Sequence, residues 1–375
     1  MRGRRWWERI LAVACALVLC FFGGGLLLGG SEPFSETENR AMRSWNTLWA
    51  NGVGEEGLLR SLSGICADQF PLRGELLTLR AYGERLLGRG EHRRILFGED
   101  GYLIPRGEYG EDSYLEANAE AIRRFCETRE ELTLWILPQS RDVMCDSLPK
   151  LYPQEEQGAQ RVAESLSDSF ALTRNAMRQR AEEGEQVWYR TDHHFTTLGA
   201  YECYRVLSPT VGWKPMAEEW FRKEVVSTSF LGSSHSSLGG KYPCQSDTIV
   251  LYRYPEDEEI TVENRETKTV VKGFYDRSRL DMKDQYQIFL GGNHPYVSIT
   301  APSLEARPRY LVVKDSFANS MIPFLAIHAD LDVIDPRYTS LPLSSYMEER
   351  EYDGILFIAG VGTLATDPSF GRFLR

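Results

Sequence analysis

The sequence predicts an α/β protein: a parallel sheet flanked by helices, interrupted by a β-rich insertion and preceded by a transmembrane helix. Three observations carry that prediction. The runs Leu132 to Leu137, Leu311 to Val313, Leu331 to Ile334 and Ile355 to Ile358 are nearly continuously apolar, as strands buried on both faces are. Helical patterns separate the last three, the alternation that parallel strands need for their crossovers. Ile10 to Gly30 contains no charged residue and follows four arginines.

Roughly 20 apolar residues span a bilayer, and Arg2, Arg4, Arg5 and Arg9 hold the N-terminus on the cytoplasmic side. No convincing small-residue cleavage site closes the run, so an uncleaved signal anchor is expected rather than a cleaved signal peptide. Residues 1–30 then form a basic tip and anchor, 31–57 a polar stalk, and 58–375 an ectodomain on the extracytoplasmic side of the cell membrane. Leu58 to Leu87 has helical spacing, broken at Phe70 and Pro71. Ile95–Gly98 and Gly101–Ile104 read as short strands around a turn, and a helix is expected over Ser113–Arg129. The buried strand Leu132–Leu137 ends at Pro138. Gln139, Ser140 and Arg141 follow at its C-terminal end, where open α/β sheets bind ligands. A polar helix over Gln157–Gln179 leads to a strand at Gln186–Tyr189, and another helix covers Ala200–Leu207. From about 212 to 300 the texture changes to short β-like stretches around Val225, Thr248–Tyr252, Ile260–Val262 and Thr269–Val271, an antiparallel insertion.

Composition excludes several functions. With 375 residues and a net charge of −11, the body is a poor partner for nucleic acid, whose binding depends on clustered Lys and Arg. Seven cysteines without a CxxC give no zinc knuckle or redox motif; five lie beyond the anchor, an odd number that allows a single disulfide without indicating which pair. Neither a phosphate-binding loop nor a dinucleotide fingerprint occurs, so no cofactor is expected. Asp192, His193, His194, His235 and His294 raise the question of a metal. Adjacent histidines rarely face one ion from a loop, and HExxH spacing is missing, so none is assigned.

Two stretches carry the chemistry. In Tyr189–Ala200, Asp192 and His194 sit two apart on a loop before a helix that Thr196 or Thr197 caps, so the carboxylate can orient the imidazole. In Leu311–Ser320, Ser316 follows a buried strand at a sharp turn before a helix, which aims its hydroxyl at the sheet's C-terminal edge. An acid, a base and a nucleophile are thereby available for a triad. Around them, His193 reads as a packing histidine beside the site, and Asp315 as either a turn former or a substrate contact. Gly292 and Asn293, with Gly291, offer donors for an oxyanion and equally the makings of a plain turn. Arg337 and Tyr338 follow a strand end and line the cleft, unless Arg337 serves Asp335 as an ion-pair partner.

The string from Tyr189 to Ala200, with Leu290–Pro295 and Lys314–Ser320 downstream, resembles the DHHW protein family. That family is similar in turn to the SGNH-like O-acetyltransferases of alginate biosynthesis. The resemblance implies an SGNH-hydrolase-like sheet, with Ser316 as nucleophile, His194 as base and Asp192 as its orienting acid. It further implies O-acylation, most simply O-acetylation, of a cell-surface or secreted polysaccharide, with a membrane-bound O-acyltransferase as acyl supplier. The chain departs at Phe195, where the family name expects Trp. An esterase with the same triad and a non-catalytic envelope scaffold are the alternatives.

Overall fold

The computed structural model describes residues 2–28, 32–51, 57–107, 113–129, 132–150, 152, 157–302 and 306–374. They form two compact units, Met1–Arg89 with His235–Pro243, and Gly90–Ser234 with Cys244–Arg375.

The smaller unit begins with a helix, Arg2–Leu28, in which Trp6–Leu26 is long and apolar enough to cross a membrane. Two short antiparallel strands, Phe34–Ser35 and Arg40–Ala41, follow. Arg40 reaches from there to Asp68 at 2.6 Å, and Glu38 accepts from Arg73 at 2.7 Å. These ion pairs bracket the helices Leu58–Asp68 and Arg73–Leu86. The break between those helices falls at Phe70 and Pro71, as the sequence predicts, and Leu72 turns it with a left-handed φ of 59°.

The larger unit is built on seven strands: β1 (Leu132–Leu137), β2 (Thr261–Asn264), β3 (Val270–Lys272), β4 (Tyr296–Thr300), β5 (Arg309–Lys314), β6 (Asp330–Ile334) and β7 (Gly354–Gly360). Their order is β3-β2-β4-β6-β5-β7-β1. The last four, β6-β5-β7-β1, are mutually parallel, while β4, β2 and β3 run antiparallel to their neighbours. The expected parallel sheet is therefore half of a mixed one. Most of the expected insertion is not separate: β4 pairs with β6 from Tyr296↔Ile334 to Ile299↔Leu331, so the later strands of that region extend the same sheet. Only Arg222–Phe230 with Asp247–Arg253 stands as its own antiparallel pair. The sequence could not separate the two cases, because a short strand's pairing partner is not written in its periodicity.

The continuous apolar runs are explained by two cores. Trp135, Leu137, Val312, Val333, Leu356 and Ile358 face one, packed under Thr197–Leu207. Ile136, Leu311, Val313, Ile334, Ile355 and Phe357 face the other, under Leu115–Cys126 and Gln157–Leu166. Alternate residues feed opposite cores, so no polar face is left on these strands. Two further expectations need correction. The polar helix expected over Gln157–Gln179 is two helices, Gln157–Leu166 and Ser169–Glu182. At the break, Ser167 donates to the Leu134 carbonyl and the Ser169 hydroxyl accepts from Ile136 N–H, tying the gap to β1. Gln186–Tyr189 is not a strand; it holds a single bridge, Trp188 to Phe195. The described cysteines are all unpaired.

Candidate active site

Strand β5 delivers the serine. At its end Asp315 is extended and fully buried, and its carboxylate accepts from Phe317 N–H at 3.0 Å and from Gly360 N–H at 2.8 Å. Asp315 thus forms the turn and clips it to the end of β7. The helix expected after Ser316 is short: a 3-10 turn, Ser316–Ser320, then one turn of α-helix at Ile322–Leu325. With Phe317 N–H taken by Asp315 and Ala318 N–H by the Asp315 carbonyl, little of a helix N-terminus remains to receive an anion. The Ser316 N–H has no protein partner among the described residues.

The loop after Tyr189 delivers the base. Thr196 caps helix Thr197–Leu207 by accepting from Gly199 N–H, as capping chemistry predicts. Gly199 lies so close to the Val187 carbonyl that an added Cβ would sit 2.4 Å from it, so the helix start needs glycine there. Asp192 Oδ1 lies 2.6 Å from His194 Nδ1, and His194 Nε2 lies 2.9 Å from Ser316 Oγ. Burial alone would raise the Asp192 carboxyl. The neighbouring rings of His193 and His194 and the Ser233 N–H outweigh it and hold the group well below the usual carboxylate range. An ionised Asp192 accepts from Nδ1–H, which leaves His194 Nε2 as the acceptor facing the Ser316 hydroxyl.

Three further contacts hold this row. Asp247, 1% exposed, accepts from the N–H groups of Arg190 and Thr191, the Thr191 hydroxyl and the Gln186 amide, all at 2.6–2.9 Å. Burial raises its carboxyl, and the four donors pull it back. Tyr286 stacks flat on His194, with centroids 3.8 Å apart and planes 6° from parallel, while its hydroxyl donates to the Ser316 carbonyl at 3.0 Å. Gly232 backs Asp192 so tightly that a Cβ there would lie 2.3 Å from the carboxylate. Neither Asp247 nor Tyr286 stands out in the sequence as a site residue. Asp247 left a weak signal, an acid heading an apolar strand; Tyr286 left none, because its partners are distant in sequence.

The remaining predicted residues separate into groups. His193 packs against the His194 ring and bonds Ser233 Oγ at 2.5 Å. Its packing, the His194 ring and Arg337 keep its imidazole below the ordinary range. Asn293 Oδ1 accepts from buried Lys314 at 3.4 Å and from Asn319 at 3.0 Å, so its side chain is tied to the serine turn. Lys314 also reaches Asp335 at 3.3 Å, and burial lowers its ammonium group. Arg337 grips the same Asp335 with two bonds of 2.9 and 2.7 Å, and Tyr338 is half exposed beside it. Gly292 ends three successive left-handed residues, Leu290 at φ 62°, Gly291 at 73° and Gly292 at 108°. Gln139, Ser140 and Arg141 sit in their own capped turn at the end of β1, where Gln139 N–H bonds Asp142. His294 spends its ring nitrogens on Asn264 and the Leu290 carbonyl. Asp192, His193 and His194 place one possible ligand atom each within 4.8 Å of one another, but the atoms involved already bond each other and Ser233.

A buried acid, imidazole and hydroxyl thus stand in one hydrogen-bonded row at the C-terminal end of the parallel strands. Residues 171–333 match the DHHW protein family. No curated protein matches the chain. Among solved structures, a DHHW family protein from Eubacterium siraeum is similar at 19% identity and a TM-score of 0.59, over 75% of this chain and 95% of that one. Bacillus cereus PatB1, solved with a sulfonyl adduct, is similar at 19% identity and a TM-score of 0.60, over 74% and 97%. The O-acetyltransferase domain of Pseudomonas putida AlgJ aligns at 15% identity and a TM-score of 0.43, over 73% and 94%. For the first two the likeness is one of fold.

Proposed function

We propose that this chain is a membrane-anchored O-acyltransferase, transferring acetyl groups to a cell-surface or secreted polysaccharide outside the cytoplasm. The reading rests on one observation: the Asp192–His194–Ser316 row with both links at hydrogen-bonding distance. In this reading the sheet is SGNH-like, the helix Trp6–Leu26 spans the membrane with the basic tip inside, and residues 31–57 lead to the ectodomain.

The proposed reaction follows from the hydrogen bonds. His194 Nε2 takes the proton of Ser316 Oγ, which forms a bond to the acyl carbon. Asp192 holds the Nδ1–H tautomer and stabilises the imidazolium. The Ser316 N–H and the Asn293 amide supply donors to the oxyanion, in place of a helix N-terminus. Collapse returns the proton through His194 to the leaving group. In the second half His194 takes the proton of a sugar hydroxyl, whose oxygen bonds the acyl carbon, and returns that proton to Ser316 Oγ as the Oγ–acyl bond breaks. A membrane-bound O-acyltransferase would present the donor, since the resemblance implies such a supplier and acetyl-CoA is cytoplasmic.

Full-length protein incubated with an activated acetyl ester tests this by intact mass and peptide mapping. A sulfonyl fluoride serves as a second probe, because Bacillus cereus PatB1 carries a sulfonyl adduct in its structure. Acetyl and sulfonyl adducts on Ser316, lost in Ser316→Ala and His194→Ala, are expected. Added glycans should then take up acetyl faster than water does. Equal labelling of wild type and variants, or no labelling of folded protein, overturns the reading.

A further inference from the structure

Helix Arg73–Leu86 of the smaller unit has two unlike sides. One packs inward: Ala81 is fully buried, Thr78 donates to the Leu238 carbonyl at 3.2 Å, and Gly74 lies against the backbone of Gly239. The other presents Leu72, Leu76, Leu79 and Leu86, spaced four, three and seven apart, which places them in one stripe about 100° wide. These leucines are 39–71% exposed, and Leu87 beyond them is 83% exposed. Leu58 and Leu59 at the start of the preceding helix are exposed as well. Scattered surface leucines are ordinary, but a stripe of them along one helix marks a surface that is covered by something.

The covering material is indicated by where the stripe begins. The turn just before Leu72 rests on the last turns of the apolar Trp6–Leu26 helix. There the Phe22 and Phe70 rings stack with centroids 4.9 Å apart and planes 16° from parallel. Gly25 faces Pro71 so closely that an added Cβ would sit 2.6 Å from its ring, so glycine permits the seat. The stripe therefore starts at the rim of the one segment able to lie in hydrocarbon among the described residues. Beside the stripe Arg80 and Arg89, with side chains 69% and 65% exposed, share Glu84 at 3.0 and 3.6 Å, and their long stems can cover apolar surface.

We propose that helix Arg73–Leu86 lies in the membrane interface, with Leu72, Leu76, Leu79 and Leu86 dipping toward the acyl chains. The partner is the lipid surface itself. This goes beyond the anchoring reading and rests on it: the chain holds the bilayer at two places, through a spanning helix and through an amphipathic one lying flat. The second contact fixes how the smaller unit stands on the membrane, which a lone flexible anchor does not.

The full chain, reconstituted in phosphatidylcholine–phosphatidylglycerol vesicles that carry a diazirine on an acyl chain, tests the proposal by photolabelling and peptide mapping. Label is expected in Trp6–Leu26 and in the peptides spanning 72–87, and not in the control helix Leu115–Cys126. In Leu76→Glu/Leu79→Glu the 72–87 label should fall roughly tenfold or more, with the span label unchanged. Both positions are solvent-facing in the protein alone, so this variant folds. A labelled span with 72–87 no brighter than the control overturns the interfacial helix and leaves the anchor standing. No label in either region overturns the anchor too. A photoreactive residue at Leu79 that captures polypeptide rather than lipid in native membranes would assign the stripe to a protein and overturn the proposal.

Discussion

Two regions of the larger unit contribute to the site in different ways. The parallel half of the sheet, β6-β5-β7-β1, presents Ser316 from the end of one strand and clips its turn through Asp315 to the end of the next. The chain between β3 and β4, and the Arg222–Arg253 pair, supply Tyr286 flat against His194, Asn293 against the serine turn, and Asp247 behind the loop that carries Asp192. One region aims the serine and the other holds the imidazole to it. A site divided in this way fails differently according to which side is damaged, and that difference is measurable.

The largest effect should come from the row itself. Ser316→Ala and His194→Ala should lower acyl transfer by at least ~10³-fold, and Asp192→Asn by roughly 10³–10⁴, with melting temperatures close to wild type for Ser316→Ala. Steady-state turnover and thermal melts on the same samples check it. Damage behind the base should show first in stability. Asp247→Ala strands four buried donors and should cost about 3 kcal/mol, read by urea unfolding, with activity lost in proportion to displacement of the loop. If Asp247→Ala costs as little as a surface change, the brace is not needed and the division of labour collapses. Tyr286→Phe keeps the ring on His194 but removes the bond to the Ser316 carbonyl. It should cost about 1 kcal/mol and only several-fold in turnover, whereas Tyr286→Ala should cost far more in both.

The smallest effect is acid sensitivity, in two stages. Burial beside Trp213 and Tyr204, with Arg307 near, brings the His328 imidazole down to about 4. Its contribution is complete above the ordinary histidine pKa of about 6.5 and is lost as pH falls toward 4. The depressed Asp192 contributes above the ordinary carboxylate pKa of about 4, and that contribution drains away only below it. Melting temperature should therefore decline first between about pH 6.5 and 4, and again at lower pH. His193, also held low, draws on the same window, so His328→Gln should shrink the first stage and leave the second; a first stage unaffected by His328→Gln would show that this ring does not contribute to it.

What was legible in the sequence follows the same division. The parallel strands announced themselves because burial on both faces leaves an apolar run with no polar gaps. Asp192, His194 and Ser316 were legible because their roles need particular residue types beside a helix cap and a strand end. Strands β2, β3 and β4 were visible as short β-like stretches, yet nothing in Thr261–Asn264 or Val270–Lys272 says which strand they meet. β2 and β3 meet each other within a short hairpin, but the pairings that join them to the sheet, β2 with β4 and β4 with β6, span more than 30 residues and are decided by packing. The solvent-exposed edge strand β3 closes the sheet with only three residues, which limits the open edge it offers to other chains. Tyr286 was illegible for that reason, and Asp247 left only the weak mark of an acid heading an apolar strand: each acts through contacts with residues distant in sequence. The helix expected after Ser316 shrank because the Asp315 side chain took up the first free N–H and closed a tighter turn.

Leu290 shows how such a joint is paid for in backbone. A leucine held at a φ of 62° sacrifices on the order of 1–2 kcal/mol, yet its side chain is buried, which is worth about as much or somewhat more. Truncation to glycine relieves the strain but loses the burial and leaves a cavity, so Leu290→Gly should still cost about 1–3 kcal/mol while relaxing the stretch that carries Asn293. The position is pulled two ways: the turn favours a bare backbone, the core favours a side chain, and the core has the stronger claim.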